Sequence, residues 1–113
     1  MEDIVYIDQE DGKKRVMNNG KLYARLLTKF KTETRLDPVF EALDAGNWEE
    51  AQARVHAVKG ITANLSIKAL NQLVMELELQ IKAKSVKPET IEAVKNCFAA
   101  TLPKLEQVIE QNA

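Results

Sequence analysis

The sequence predicts an all-α fold, an up-down four-helix bundle with a short N-terminal extension or helix, on three observations. Apolar residues recur at helical spacing through four long segments. Short joins rich in Pro, Gly, Asn and Asp separate those segments. No strand-hairpin signal, internal repeat or low-complexity run interrupts them. At 113 residues the chain reads as one domain, 1–113, with a lead-in over 1–19 and the bundle over 20–113.

The lead-in "DIVYIDQEDGKKRVMNNG" reads as an extended stretch followed by a short helix or turn, its basic run "GKKR" a solvated turn beside "DQED". In "KLYARLLTKFKTET", residues 21–34, Leu22, Leu26, Leu27 and Phe30 make one apolar stripe. "LDPVFEALDAG" is either a separate helix or a kinked continuation; Asp37 is placed to cap it, Pro38 suits a first helical position and Gly46 the position past the last turn. Asn47 starts the next helix, "NWEEAQARVHAVKGITANL", and Glu50 three residues on completes a capping-box pattern. "IKALNQLVMELELQIKAK" follows, with Leu70, Leu73, Val74, Leu77 and Ile81 on one face. After the turn "SVKPET", Pro88 opens a last helix striped by Ile91, Val94, Phe98, Leu102, Leu105 and Ile109, with a kink expected near Pro103. Trp48 reads as a packing anchor, Met17 and Met75 as core or gap fillers, and Cys97 as a partly buried, inert thiol.

Composition narrows the function. Hydrophobic residues at 45% and charged residues at 29% are the balance of a soluble globular protein. A formal net charge of -1 lacks the basic field of a non-specific nucleic-acid binder. No apolar run is long enough to cross a bilayer, and "EDIVYIDQED" after Met1 has no signal-peptide pattern. One cysteine and one histidine leave neither an intrachain disulfide nor a structural zinc set, so no metal site is expected. Together these features point to the cytoplasm.

The single histidine, His56, lies in the helix "VHAVKGITANLS". With 100° per residue, Glu49, Gln52, Ala53, Lys59, Gly60 and Ala63 share its face, while Ala51, Val55, Val58, Thr62 and Leu65 lie opposite or beside it. The core stripe is complete without the imidazole, which therefore points outward. Gly60 costs about 0.8–1.0 kcal/mol relative to Ala in a helix interior, yet one turn after the imidazole it leaves room for a bulky group and an approaching protein. Lys59, at i+3, is within reach of an anion carried by the ring. Imidazole is nucleophilic when neutral, and its P–N bond is labile enough to pass a phosphoryl group onward. The face is thus that of a phosphoryl carrier.

"HAVKGITANLS" resembles the signature of the histidine-containing phosphotransfer (HPt) domain family, His-x-x-Lys-Gly followed by a small-residue stretch and an Asn-Leu/Ile-Gly ending. The resemblance spans nearly the whole chain: "GKLYARLLTKF", "AGNWEEAQARVHAVKG" and "LNQLVMELELQIKAK" are similar to the family's successive helices. It implies a four-helix bundle relaying phosphate in the cytoplasm, with His56 as acceptor, usually at Nε2, Lys59 as phosphate-side cation and Gly60 as the clearance residue. Some members carry a glutamate on the next helix that bonds the other ring nitrogen, and others a glutamine; that position is Glu78 here. Lys82, one turn on, falls where some members place a second basic residue, although Glu78 and Lys82 also make an ordinary i,i+4 surface pair. Ser66 stands where the family usually has glycine, and Ile61 where a small residue is frequent.

The resulting expectation is a monomeric histidine phosphocarrier, not an enzyme, exchanging phosphate with aspartates on receiver domains of response regulators or hybrid kinases. It needs no cofactor of its own, Mg²⁺ being supplied by the receiver. Gln52, Ala53, Ala63 and Ile61 form the docking face. Neither nucleic acid nor membrane is an expected partner. The starting Met and the end just after the last helix lean toward a free-standing protein. The alternative is a helical adaptor that binds a signalling partner through the same face without carrying phosphate. A hydrolase using His56 and Glu78 lacks a neighbouring nucleophile and oxyanion site.

Overall fold

A computed structural model of the chain describes residues 4–113. Six helices run in order: α1 Gln9–Lys14, α2 Gly20–Glu33, α3 Asp37–Asp44, α4 Trp48–Asn64, α5 Lys68–Lys82 and α6 Pro88–Asn112. The four long ones are the expected bundle, and no strand occurs among the described residues. Helix α6 packs against α2 and α5, α5 against α4, and the short α3 buttresses α4. Segment 36–45 is thus a helix of its own, set off from α2 by the extended Thr34.

Local signals explain most boundaries. Asn19 Oδ1 accepts the Leu22 amide at 3.1 Å, and Asn47 Oδ1 accepts the Glu50 amide at 3.2 Å, each satisfying one orphan donor of a first turn. Gly46, just past the C-cap of α3, takes a left-handed φ of 72°. Pro88 opens α6, which then runs unbroken through Pro103. Asp37 does not cap α3. It is the first helical residue, after a Leu36 cap that makes no side-chain bond, and its charge still suits the positive end of the helix.

The core is centred on Tyr23, Leu27, Leu70, Val74, Leu77, Ile81, Val94 and Leu105, all at most 1% exposed. Three expectations need correcting. In α2 the innermost positions are Tyr23 and Leu27, and Leu22 is exposed. Tyr23 goes in because its hydroxyl donates to the Leu65 carbonyl at 2.7 Å, so the ring is buried without stranding a polar atom. In α6 the seam runs through Val94, Cys97, Thr101, Leu105 and Val108, leaving Phe98, Leu102 and Ile109 half-buried on its flank. Thr101 is tolerated there because its hydroxyl donates to the Cys97 carbonyl at 2.7 Å. Met17 and Met75 are not core: Met17 occupies a left-handed turn after α1 and is 92% exposed, and Met75 lies on the outer face of α5. Cys97 is buried as expected, and burial raises its thiol pKa against the opposing Thr101 contact.

The run "GKKR" is not a free turn, since Gly12 to Lys14 complete α1 and Gly12 is buried against Tyr23. A Cβ at Gly12 would sit 2.5 Å from the phenol ring. Gly12→Ala is therefore expected to destabilise the fold by about 1–3 kcal/mol, the usual range for overpacking, in urea titrations followed by circular dichroism. Ser66 explains how the family's glycine position is filled. Its φ is 57°, the left-handed conformation glycine would supply, and its hydroxyl donates to the Asp11 carboxylate while its carbonyl accepts the Asp8 amide at 2.9 Å. The departure from glycine thus ties α1 to the α4–α5 turn.

Candidate functional site

Helix α4 buries Ala51, Val55, Val58 and Thr62 and turns His56 outward. The His56 side chain is 67% exposed, in keeping with the face analysis. The ring is nonetheless held. Its Nδ1 lies 2.8 Å from Glu78 Oε2 on α5, and the other oxygen of that carboxylate, Oε1, accepts from Lys59 Nζ at 2.5 Å. One carboxylate thus serves both residues.

Glu78 is only 3% exposed, an unusual place for a carboxylate, and every buried charge needs partners. Burial by itself pushes its pKa up. The hydrogen bonds from Lys59 and His56, with the charges of Lys59 and Lys82, outweigh burial and hold the carboxyl below its ordinary range. An ionised carboxylate only accepts, so Nδ1 must carry the proton of the His56–Glu78 bond. The lone pair of the neutral ring is then on Nε2, on the solvent side.

Around this core the other expected residues fall as follows. Lys59 is partly exposed at 29%, with one of its three ammonium donors on Glu78 and two left for another acceptor. Lys82 is exposed and contributes its charge to Glu78 without a direct ion pair among the described residues. Ala53, Gly60 and Ala63 are exposed, Gln52 half-buried, and Ile61 is 41% exposed, so its side chain adds apolar surface instead of filling core. A Cβ built at Gly60 meets nothing within 4 Å. Gly60→Ala is accordingly expected to stabilise the protein by about 0.8–1.0 kcal/mol through helix propensity alone, measured by chemical denaturation.

Beside Ile61 the surface dips into a groove between α2 and α4, about 880 Å³ in volume, lined by Leu26, Phe30 and Val58 and by the cations Arg15, Lys29, Arg35 and Arg54. Two residues that sequence reasoning passed over also bear on the site. Thr62 appeared only as a member of the core stripe, and Asn71 not at all; the structure joins them across the α4–α5 seam. Nothing in helical periodicity marks Asn71, a half-buried amide whose partners lie on another helix.

The helical bundle thus presents one outward imidazole, braced from behind by a buried carboxylate and flanked by a lysine. Residues 25–111 match the Hpt domain family, and the chain belongs to that family. Its members are phosphocarriers that interact with receiver domains in phosphorelays. No curated protein and no solved structure matches the chain. No helix among the described residues is long and apolar enough to cross a membrane.

Proposed function

We propose that this protein carries a phosphoryl group on His56 Nε2, exchanging it with the aspartate of a receiver domain in the cytoplasm, and that it does so without a cofactor of its own. The observation that carries the proposal is the bond of Nδ1 to a carboxylate kept ionised. That bond fixes the tautomer, aims Nε2 outward, and balances the positive charge the ring acquires once phosphorylated.

The transfer follows from these parts. The Nε2 lone pair attacks phosphorus of an aspartyl phosphate in line with the leaving carboxylate oxygen. The P–N bond forms as the P–O bond breaks, and the electron pair of that bond returns to the aspartate. The proton on Nδ1 stays in place, facing Glu78, so no proton need leave the ring. The two free donors of Lys59 are available to the phosphoryl oxygens, and Lys82 adds positive potential at longer range. The receiver supplies Mg²⁺ on its own side. The reverse reaction uses the same geometry, as a relay requires.

Docking takes place over Gln52, Ala53, Gly60, Ala63 and Ile61. Ala53, Gly60 and Ala63 are small, Gln52 is half-buried, and Ile61 leads into the α2–α4 groove. A glycine that costs helix stability but relieves no crowding within its own chain fits a need for room outside it. The single domain spans 1–113, works as a monomer and makes transient contacts of modest area.

The test is incubation with purified receiver domains carrying labelled phosphate. The wild-type protein is expected to acquire acid-labile, alkali-stable label. Lys59→Ala is expected to remain folded and to accept label about 10- to 100-fold more slowly, the scale of losing one charge-assisted contact to a transferring phosphoryl group. An unlabelled wild-type protein with every receiver would favour the adaptor.

A further inference from the structure

We infer that Asn71 and Thr62 form a polar latch that fixes the register of α5 against α4 and so positions Glu78 on His56. Asn71 Nδ2 donates to the Lys59 carbonyl at 3.0 Å and to Thr62 Oγ1 at 3.0 Å. The Thr62 hydroxyl in turn donates its one proton back into α4, with the Val58 carbonyl at 2.9 Å and the Lys59 carbonyl at 3.1 Å, which leaves its lone pairs to accept from Asn71. Thr62 is fully buried, and the Lys59 carbonyl that Asn71 holds belongs to the residue whose ammonium grips Glu78.

The need for a latch follows from what surrounds it. Apart from Thr62 and Glu78, the buried residues of these two helices are apolar: Ala51, Val55 and Val58 on α4, and Leu70, Val74, Leu77 and Ile81 on α5. Apolar seams tolerate small axial slips, because dispersion and burial are not directional. Hydrogen bonds do not tolerate them. A slip of one turn moves α5 by about 5.4 Å, enough to carry the 2.8 Å His56–Glu78 contact beyond bonding range.

The spacing is that of a ruler laid between antiparallel helices. Six residues separate His56 from Thr62, a rise of about 9 Å, and seven separate Asn71 from Glu78, about 10.5 Å. Setting Thr62 against Asn71 therefore brings His56 to within about 1.5 Å of axial alignment with Glu78, an offset the two side chains span. A lone polar pair in an apolar seam is the device by which coiled coils fix register. Asn71 touches neither the imidazole nor the phosphoryl position, so it is a positioning residue. Its relevance to transfer rests on the function proposed above; its effect on the ring does not.

The experiment uses protein labelled with ¹⁵N histidine, at alkaline pH where the ring is neutral, and reads the ratio of Nδ1–H to Nε2–H tautomers. Glu78→Ala provides the spectrum of an unbraced ring. Thr62→Val keeps the shape of the side chain and removes only the hydroxyl, while Asn71→Leu removes the amide. Each is expected to lower the tautomer ratio toward the unbraced value by about threefold or more, a partial loss of one charge-assisted hydrogen bond. The double variant is expected to do no worse than Asn71→Leu alone, since the only bond of Thr62 to α5 is the one it shares with Asn71, whereas Thr62→Val still leaves Asn71 on the Lys59 carbonyl. Wild-type ratios in both single variants, or additive losses in the double, would overturn the latch. Slower phosphorylation of the variants by phosphoramidate would extend it to transfer. Because the ratio is read on unphosphorylated protein, a wild type that takes no phosphate counts against the relay and leaves the latch to the spectrum.

Discussion

His56→Gln is expected to abolish phosphoryl labelling while leaving the bundle intact. The imidazole is 67% exposed and contributes nothing to the core, so its removal opens no cavity. Glu78 keeps its bond to Lys59, and the glutamine amide can donate to the oxygen the ring vacates. Stability should therefore stay within about 0.5 kcal/mol of the wild type, as for other surface substitutions. The label has no comparable substitute, because no other histidine exists in the chain. Coincident denaturation curves together with a complete loss of acid-labile label are the expected pair of results. Label that persists in the variant would remove His56 from its role, whatever the fold.

The features legible in the sequence were those written locally or with one period. Asn47 and Pro88 mark helix starts through chemistry confined to a single turn, and Gly46 marks a stop in the same way. The outward direction of His56 follows from rotation about one helix axis and needs no knowledge of neighbours. Where a choice depended on another helix, periodicity was insufficient. Leu22 and Tyr23 are adjacent, and what sends Tyr23 inward is a carbonyl 42 residues away that accepts its hydroxyl. Met75 fits a helical stripe as well as its neighbours do, yet it is exposed, as is Leu79 one turn on, on a side of α5 that no element among the described residues covers. Asn71 shows the same limit at the site: an amide gains meaning only when Lys59 and Thr62 are brought opposite it.

Glu78 lies between these cases. The resemblance to the family pointed to its position, while its sequence context, a glutamate four residues before a lysine, is that of any solvated helix. Only the crossing of α4 and α5 buries it and turns a surface pair into a brace for two residues on another helix. The partners it binds are far less buried than it is, at 67% and 29% exposed against 3%. The site is therefore asymmetric, with an anion fixed inside and cationic or neutral groups free to turn outward. That suits the proposed role, because the residues that would meet an incoming anion are the exposed ones.

Removal of that anion should accordingly cost more in transfer than in folding. In Glu78→Ala neither His56 nor Lys59 is left as a buried, unpaired charge, since both reach water, so the severe penalty of breaking a buried ion pair does not apply. A loss of about 1–2 kcal/mol is expected, from two hydrogen bonds and a small void offset by relief of carboxylate desolvation. Transfer is expected to slow by about 10- to 100-fold, because the ring loses both its tautomer and its aim. Glu78→Gln separates the two contributions. Its amide oxygen still accepts from Nδ1 but brings no charge, so its rate should fall between those of the wild type and Glu78→Ala. Acid provides an independent check. The folded carboxyl titrates below its unfolded value of 4.5, so ionised Glu78 stabilises the fold at pH above that value, and the contribution is lost as pH falls through the folded pKa. The stability advantage of the wild type over Glu78→Gln, from urea titrations at successive pH values, should thus shrink below pH 4.5. An advantage that persists undiminished through the acid range would mean that Lys59 and His56 do not hold this carboxylate ionised, and the fixed tautomer on which transfer depends would lose its cause.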